Sequence, residues 1–122
     1  MDGSSPEAPG SATRWHSVCA LAEIVPNLGV AALIDGRQIA VFRVHHRDGG
    51  EQCYAIDNFD PQSDANVLSR GLTGSLGGRI VVASPIYKQH YDLVTGECLE
   101  DASTPVRAYA VRIEDGQVWV AV

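Results

Sequence analysis

Short runs of apolar and β-branched residues, separated by turn residues, occupy most of this chain. Residues 15–19 predict an edge strand, and the runs 29–34 and 38–44 predict two strands joined by Asp35-Gly36-Arg37. An Asp-Gly pair suits a tight hairpin because such a turn requires positive φ angles. No segment keeps a helical apolar period over three turns, so the pattern predicts a mostly β domain.

The run 52–56 follows Asp48-Gly49-Gly50, which predicts a second turn of the same kind. The first strands would then form a meander. Residues 21–25 predict one short helical turn, which ends because Pro26 disfavours helical geometry in Val25.

Strand periodicity lapses between residues 57 and 78, where glycine, proline and polar residues are frequent. This stretch predicts a loop-rich insert. Its main apolar anchors are expected to be Phe59, Val67, Leu68, Leu72 and Leu76.

Beyond the insert, the sequence predicts strands at 79–83, 90–93 and 97–99, with a turn at Thr95-Gly96 between the last two. A closing hairpin follows, with strands at 106–113 and 117–122 around Asp115-Gly116. Apolar residues alternate along it, which is typical of a strand with one face in a core. These residues are Val111, Ile113, Val118, Val120 and Val122.

Two loops carry a recognisable pattern. The first contains Asn58-Phe59-Asp60, and the second begins Ser84-Pro85-Ile86-Tyr87 and runs on through residues 91–96, Tyr-Asp-Leu-Val-Thr-Gly. The pattern resembles that of Rieske domains, which hold a [2Fe–2S] cluster with Cys-x-His in one loop and Cys-x-x-His in a second, the second followed by aromatic-Asp-Leu-x-Thr-Gly. Asn58, Asp60, Ser84 and Tyr87 stand at the four ligand positions of that pattern. None is a thiolate or an imidazole, so the resemblance implies a Rieske frame without a cluster.

Within the Rieske family, the chain resembles the branch that lacks the cluster and forms the small subunits of assimilatory NAD(P)H-dependent nitrite reductases. A Pro-x-x-Lys-Gln run is typical of that branch and stands here at residues 85–89. The resemblance implies an all-β, Rieske-like antiparallel sandwich or barrel over residues 15–122. A small loop-rich subdomain would occupy the former cluster site.

The same resemblance implies a function. The partner would be a large nitrite reductase subunit that carries FAD, an iron–sulfur cluster and sirohaem and reduces nitrite to ammonium in the cytoplasm. This chain would hold no cofactor, no metal and no catalytic residue, and would support the large subunit. Two alternatives stay open: a Rieske-type ferredoxin that carries electrons, and a stand-alone interaction module without a cluster.

The second loop also suggests an interface. Tyr87, Lys88, Gln89 and His90 stand at the tip that, in Rieske domains, exposes the cluster histidines to a redox partner. We therefore expect these four residues to contact the partner subunit. In an alternative interpretation, Tyr87 and Pro85 fill the space that a cluster would occupy and so stabilise the loops.

Composition limits the other possibilities. A length of 122 residues indicates one domain, and a net charge of -6 argues against nucleic acid, which needs a dense basic face. No apolar stretch reaches the about 20 residues that a membrane helix needs. Residues 1–14 are rich in Ser, Pro, Gly and Ala, lack a signal-peptide pattern, and predict a disordered leader.

The sequence raises three other kinds of chemistry: thiol chemistry, a mononuclear metal site and a serine nucleophile. Cys19, Cys53 and Cys98 are widely spaced, so they predict reduced thiols and neither a disulfide framework nor a zinc site. Asp60, Asp64 and His90 could hold a mononuclear metal, but solvated carboxylates that cap loop amides are the favoured interpretation. Ser84 lacks the Gly-x-Ser-x-Gly context of a nucleophile, so the isolated chain is expected to catalyse nothing.

Overall fold

The structure is a computed structural model, and it describes residues 14–122. Of the predicted leader, residues 1–13 lie outside the described residues. Arg14 exchanges two backbone hydrogen bonds with Val122, at 3.1 and 3.0 Å, so it continues the pairing of the first strand.

The described residues form an almost entirely β structure with two single 3-10 turns, which confirms the predicted fold class. The strands are β1 (Trp15–Ala20), β2 (Gly29–Ile34), β3 (Arg37–His45), β4 (Glu51–Asp57), β5 (Phe59–Asp60), β6 (Ala65–Asn66), β7 (Leu72–Leu76), β8 (Arg79–Ala83), β9 (His90–Asp92), β10 (Ala108–Tyr109), β11 (Val111–Glu114) and β12 (Gln117–Ala121). The 3-10 turns are Leu21–Glu23 and Leu68–Arg70.

The strands within residues 14–122 form four antiparallel sheets. Their strand orders are β1-β12-β11, β10-β4-β3-β2, β5-β6 and β7-β8-β9. The first two sheets form the base of the domain. The last two, with the loops between them, form the predicted loop-rich subdomain.

The first hairpin has the predicted turn. Asp35 and Gly36 take φ angles of 50° and 80°, and β2 pairs with β3 without a register shift from Gly29↔Phe42 to Ile34↔Arg37. A two-residue turn with positive φ at both positions matches the twist of the flanking strands.

The second hairpin differs from the prediction. In this loop only Gly49 has a positive φ, 92°. The Gly49 N–H donates to the His46 carbonyl, and the His46 N–H donates to the Gly50 carbonyl. The loop therefore contains a longer turn that ends in a glycine, not a second tight two-residue turn. The Asp48 carboxylate accepts the Gly50 N–H at 2.8 Å and stabilises this shape.

One predicted loop and two predicted strands need correction. Residues 72–76 form β7 within the stretch predicted as loop, because pairing with β8 overrides the high glycine content. Residues 97–99 form only an isolated bridge, Tyr91↔Cys98. The predicted strand 106–113 divides at Ala110 into β10, which pairs with β4, and β11, which pairs with β12.

The central sheet is buried on both faces, so β3 and β4 are nearly continuous apolar runs. One face packs against β1, β11 and β12 through a cluster that contains Ile39, Val41, Val118 and Val120. The other face packs against the loop-rich subdomain, and this contact positions the site. Its cluster contains Phe42, Val44, Tyr54, Ile56, Leu68, Val82, Tyr91 and Leu93.

Most of the residues predicted as buried apolar anchors of the insert are in fact exposed. Leu68 is fully buried, whereas Phe59, Leu72 and Leu76 are 41%, 75% and 43% exposed. The hydrogen bonds described below, rather than apolar side chains, hold much of this region. Among the described residues, no helix is long and apolar enough to cross a membrane.

Candidate functional site

The two loops meet at a buried hydrogen bond between two of the predicted ligand positions. The Ser84 hydroxyl donates to Oδ2 of Asp60 at 2.6 Å, and both side chains are 0% exposed. Asp60 lies at the end of β5 and Ser84 follows β8, so this bond joins one loop to the other. In the aligned Rieske pattern, a metal cluster makes that connection.

The Asp60 carboxylate accepts five hydrogen bonds. Oδ1 accepts from the Gln62 N–H at 3.0 Å, the Gln89 amide at 2.8 Å and the Tyr91 hydroxyl at 2.9 Å. Oδ2 accepts from Ser84 and from the Ser63 hydroxyl at 2.9 Å. A buried carboxylate is tolerated when its lone pairs are satisfied in this way. We call Asp60 and its five donors the Asp60 centre.

Two opposing effects act on the Asp60 pKa. Burial, the larger single effect, raises it, but the hydrogen bonds from Ser84, Ser63, the Gln62 N–H and Tyr91 together outweigh burial and hold the pKa below its ordinary value. Asp60 is therefore ionised at neutral pH. Charge-assisted hydrogen bonds of this kind are stronger than neutral ones, so the Asp60 centre is a strong connection between the loops.

Strand β9 and the residue before it supply the floor of the centre. Tyr91 is fully buried, and burial raises the pKa of its hydroxyl, as does the hydrogen bond to Asp60. The Tyr91 hydroxyl donates to Asp60 and accepts from Gln89 at 3.0 Å. Tyr91 also belongs to the apolar cluster against the central sheet, so the position of Asp60 is fixed relative to β3 and β4.

Asn58, at the first of the predicted ligand positions, holds the other side of its loop. Its amide nitrogen donates to Gln38 at 3.1 Å, and its amide oxygen accepts the Ser69 N–H at 2.7 Å. Its backbone carbonyl accepts from Val67 and Leu68 at 3.0 Å each. Asn58 therefore connects the 3-10 turn at Leu68–Arg70 to the β2–β3 hairpin and closes the loop that contains Asp60.

Tyr87 does not fill the former cluster space. Its side chain is 63% exposed at the tip of the second loop, so the alternative in which it plugs that space is wrong. The side chains of Ser84, Gln89 and Tyr91 occupy the interior instead. Lys88 is also exposed, and its positive φ of 67° turns the chain back toward β9.

Gln89 and His90 differ in their surroundings. Gln89 is 5% exposed and donates a hydrogen bond to Asp60, so the prediction that it contacts the partner subunit at the loop tip is wrong. A polar side chain next to a buried carboxylate gains more free energy by donating to it than by facing water. His90 is partly exposed, and its Nδ1 lies 2.6 Å from Glu100 Oε2.

The Asp-Leu-x-Thr-Gly stretch has a structural explanation. The Asp92 carboxylate accepts the N–H groups of Val94 and Thr95 at 2.7 and 3.0 Å, and it pairs with Arg79 at 2.7 Å. Gly96 has a φ of 82° and donates its N–H to the Asp92 carbonyl at 2.8 Å. The stretch is thus a turn that connects β9 to the residues that follow.

The structure does not assemble the alternative metal site. Asp60 is enclosed by its donors, Asp64 is exposed, and His90 pairs with Glu100. Within residues 14–122, no three His, Cys, Asp or Glu side chains lie together as a possible metal site.

The three thiols are free, with Cys53 and Cys98 buried, as predicted for small apolar side chains. Burial raises the pKa of Cys53 to about 11, and the nearby Arg43 lowers it by less. Cys53 is therefore protonated at neutral pH and is a poor nucleophile.

A loop subdomain on a central antiparallel sheet, with its two loops joined at the aligned ligand positions, defines a Rieske-like domain. A family model described as "Rieske-like [2Fe-2S] domain" matches residues 14–121, and the chain belongs to that family.

Within this family, the chain is a homologue of nitrite reductase small subunits. It is 43% identical to the nitrite reductase (NADH) small subunit of Salmonella typhimurium over 106 residues, which cover 87% of this chain and 95% of that protein. It is also similar to the crystal structure of an NADH-dependent nitrite reductase small subunit from Mycobacterium tuberculosis, with a TM-score of 0.82, 41% identity and coverage of 90% and 96%.

Two further relatives have different contexts. The nitrite reductase [NAD(P)H] large subunit of Klebsiella oxytoca is 45% identical over 106 residues, and the chain spans only 11% of its length. The anthranilate 1,2-dioxygenase ferredoxin subunit of Burkholderia cepacia is 31% identical over 111 residues, which cover 89% of this chain and 93% of that protein.

Proposed function

We propose that this chain is the small subunit, without a cluster, of a cytoplasmic NAD(P)H-dependent nitrite reductase, and that it supports the large subunit that reduces nitrite to ammonium in nitrate and nitrite assimilation. The Asp60 centre is the observation that carries the proposal. A direct 2.6 Å bond joins two residues that align with cluster ligands, and this bond supports a domain whose loops are connected by side chains instead of a cluster. The domain then keeps its shape and loses the electron-carrying group.

The electron path consequently stays in the partner. The large subunit is expected to carry FAD, an iron–sulfur cluster and sirohaem, and this chain to carry none of them. The Klebsiella relative supports this pairing, because a segment similar to this chain is part of a polypeptide named as the large subunit. A domain that is covalently attached in one protein and separate in another is expected to bind the remainder of its partner.

Reconstitution tests the role directly. We expect the large subunit, purified without this chain, to have at least about twofold lower nitrite-dependent NAD(P)H oxidation or a lower melting temperature, because a bound subunit stabilises its partner by mass action. Addition of purified chain should restore the lost property, and the chain alone should have no activity. Full activity and unchanged stability of the large subunit alone would contradict the role.

A Rieske-type ferredoxin is the second candidate, favoured by the similarity to the Burkholderia subunit. An electron carrier needs a redox group, and four soft ligands hold one in the Rieske pattern. The residues aligned with those ligands are Asn58, Asp60, Ser84 and Tyr87. Two of these residues, Asp60 and Ser84, are hydrogen-bonded to each other, which favours the small-subunit role over the ferredoxin role.

The tip of the second loop is our candidate docking surface. Tyr87 is 63% exposed, neighbouring Ile86 is 45% exposed, and Lys88 adds a positive charge to a chain whose net charge is -6. Tyrosine is among the residues that most often anchor interfaces, and an exposed charge can guide association with a partner of complementary charge. With Gln89 buried, the proposed surface consists of Tyr87, Lys88 and the exposed part of His90.

Substitutions at this tip are expected to weaken partner binding without unfolding the domain. Tyr87→Ala or Lys88→Glu should weaken the free energy of binding to the large subunit by roughly 1 to 3 kcal/mol, which raises the Kd. Surface plasmon resonance measures the Kd, and the melting temperature of each variant should stay within about 2 °C of the parent, because both side chains are exposed.

Val25→Ala is the matched control. Val25 is 60% exposed. It precedes the open end of the β2–β3 hairpin, which is the end opposite the Asp35-Gly36 turn, so truncation of Val25 should leave the Kd unchanged. An unchanged Kd for both Tyr87→Ala and Lys88→Glu would reject the docking surface.

A further inference from the structure

Strand β7 has an outer edge that no other strand within residues 14–122 pairs with. Two large side chains on it are exposed, Leu72 at 75% and Leu76 at 43%. Natural edge strands are protected by short length, a charged side chain such as lysine, a proline or a bulge, among other features. The sequence of β7 is Leu-Thr-Gly-Ser-Leu, and its register against β8 is continuous, so of these four features it has only a short length of five residues.

The hairpin between β7 and β8 determines which backbone groups are free. Its two-residue turn, Gly77-Gly78, has φ angles of 59° and 80°, and the flanking pair is Leu76↔Arg79. In such a hairpin the flanking residues exchange two hydrogen bonds, and bonded pairs then alternate with unbonded pairs. Thr73 and Ser75 belong to the unbonded pairs, so their backbone N–H and C=O groups point away from β8.

One contact agrees with this assignment. Ile80, opposite Ser75, directs its carbonyl away from β7, where it accepts the Leu93 N–H at 2.9 Å. The Thr73 hydroxyl donates to the Asn27 carbonyl at 2.9 Å, so the Thr73 side chain faces the segment before β2, on the face of β7 opposite that of Leu72 and Leu76.

The β7 sequence has nearly the same order of side chains in both directions about Gly74. When a second copy is placed antiparallel with Gly74 opposite Gly74, Thr73 lies opposite Ser75 of the second copy, and Ser75 opposite its Thr73. Each of these pairs can exchange two backbone hydrogen bonds, because these are the residues with outward-facing groups. Leu72 then lies opposite Leu76 of the second copy, on the same face as Gly74.

We propose that β7 pairs with β7 of a second copy of this chain about a two-fold axis at Gly74, which joins the two β7-β8-β9 sheets into one. A second copy is the partner that fits, because this arrangement is isologous and satisfies the outward backbone groups of both strands. It also places the exposed leucines opposite one another, and β7 has no charged side chain that could face a like charge on the second β7. The strand has only five residues, so the dimer is expected to be weak, with a Kd on the order of 10⁻⁴ M.

Charge pairs across the two-fold axis test both the contact and its register. In Leu72→Lys/Leu76→Lys, each lysine faces a lysine of the second copy, so the dimer Kd should rise at least about tenfold. In Leu72→Lys/Leu76→Glu, each lysine faces a glutamate, and the Kd should stay within about threefold of the parent. Sedimentation equilibrium of the full chain between about 10 μM and 1 mM measures each Kd.

Leu33→Lys is the matched control. Leu33 is 73% exposed and lies on β2, the edge strand of another sheet, so this variant should dimerise like the parent. All substituted side chains are exposed, and an unchanged melting temperature confirms that each variant is folded. A parent chain that stays monomeric at 1 mM would overturn the proposal. So would a dimer whose Kd is the same in the Lys/Lys and Lys/Glu variants.

Discussion

Asp60→Ala is expected to lower the free energy of unfolding by at least about 3 kcal/mol. The substitution removes the shared acceptor of five donors, and three of these, on Ser84, Gln89 and Tyr91, are buried. A buried donor that loses its acceptor costs about 1 to 3 kcal/mol. Urea denaturation, followed by circular dichroism, measures the loss.

Asp60→Asn separates charge from shape, because the amide keeps the volume but turns one acceptor oxygen into a donor that faces other donors. We expect it to lose about 2 to 4 kcal/mol. Asp64→Asn is the matched control, since Asp64 is an exposed carboxylate of the same loop whose φ of 56° asparagine adopts readily. The control should change stability by less than about 0.5 kcal/mol. A similar small effect at Asp60 would show that the Asp60 centre does not hold the loops.

Because of the Asp60 carboxylate, the stability of the folded chain is expected to fall at acidic pH. The pKa of Asp60 in the folded chain lies below its ordinary value of 3.8, so the unfolded chain binds the proton more tightly. This contribution to stability is fully present above the unfolded pKa and is lost as the pH falls through the folded pKa. The Asp60→Asn variant should therefore lose less stability than the parent when the pH is lowered from about 5 to 2.

Gly96→Ala is the second substitution with a large expected effect. A Cβ atom at Gly96 would lie 1.9 Å from the Val106 carbonyl oxygen, which is backbone and cannot turn aside, and the φ of Gly96 is 82°. Relief of this overlap requires movement of the segment that leads into β10, so we expect a loss of at least about 3 kcal/mol. Thermal denaturation by calorimetry measures it.

Gly116→Ala isolates the cost of the backbone angle. Gly116 has a φ of 75°, close to that of Gly96, but a Cβ atom there would meet nothing within 4 Å. This variant should lose only about 1 kcal/mol, the usual cost of a left-handed conformation in alanine. Equal losses at Gly96 and Gly116 would show that the contact with Val106 contributes nothing.

The meander and the Rieske-like frame could be predicted from the sequence because their signals are local. The Asp35-Gly36 turn needs positive φ angles that few residues adopt, and the run at 79–83 forms a strand at those bounds. Strand β7 could not be predicted in the same way. Its glycine and serine residues disfavour a strand alone, and only pairing with β8 makes them extended.

The site could be predicted only in part. The pattern aligned Asp60 and Ser84 with ligand positions, and the structure shows them bonded to each other. Gln89 and Tyr91 were not predicted as donors, and in the case of Gln89 nothing local indicates that a glutamine beside exposed Lys88 turns inward. An available signal was the position of Tyr91 in the aromatic-Asp-Leu stretch, which marks it as a buried residue next to the loop.

The iron content of the chain tests the central claim, that the Asp60 centre replaces the cluster, most directly. Chain expressed with iron supplied and purified under anaerobic conditions should contain well below about 0.1 iron per chain and show no visible absorption band. About two irons per chain, with the absorption of a [2Fe–2S] centre, would contradict the account, because Asp60 and Ser84 cannot be bonded to each other and also make room for a cluster.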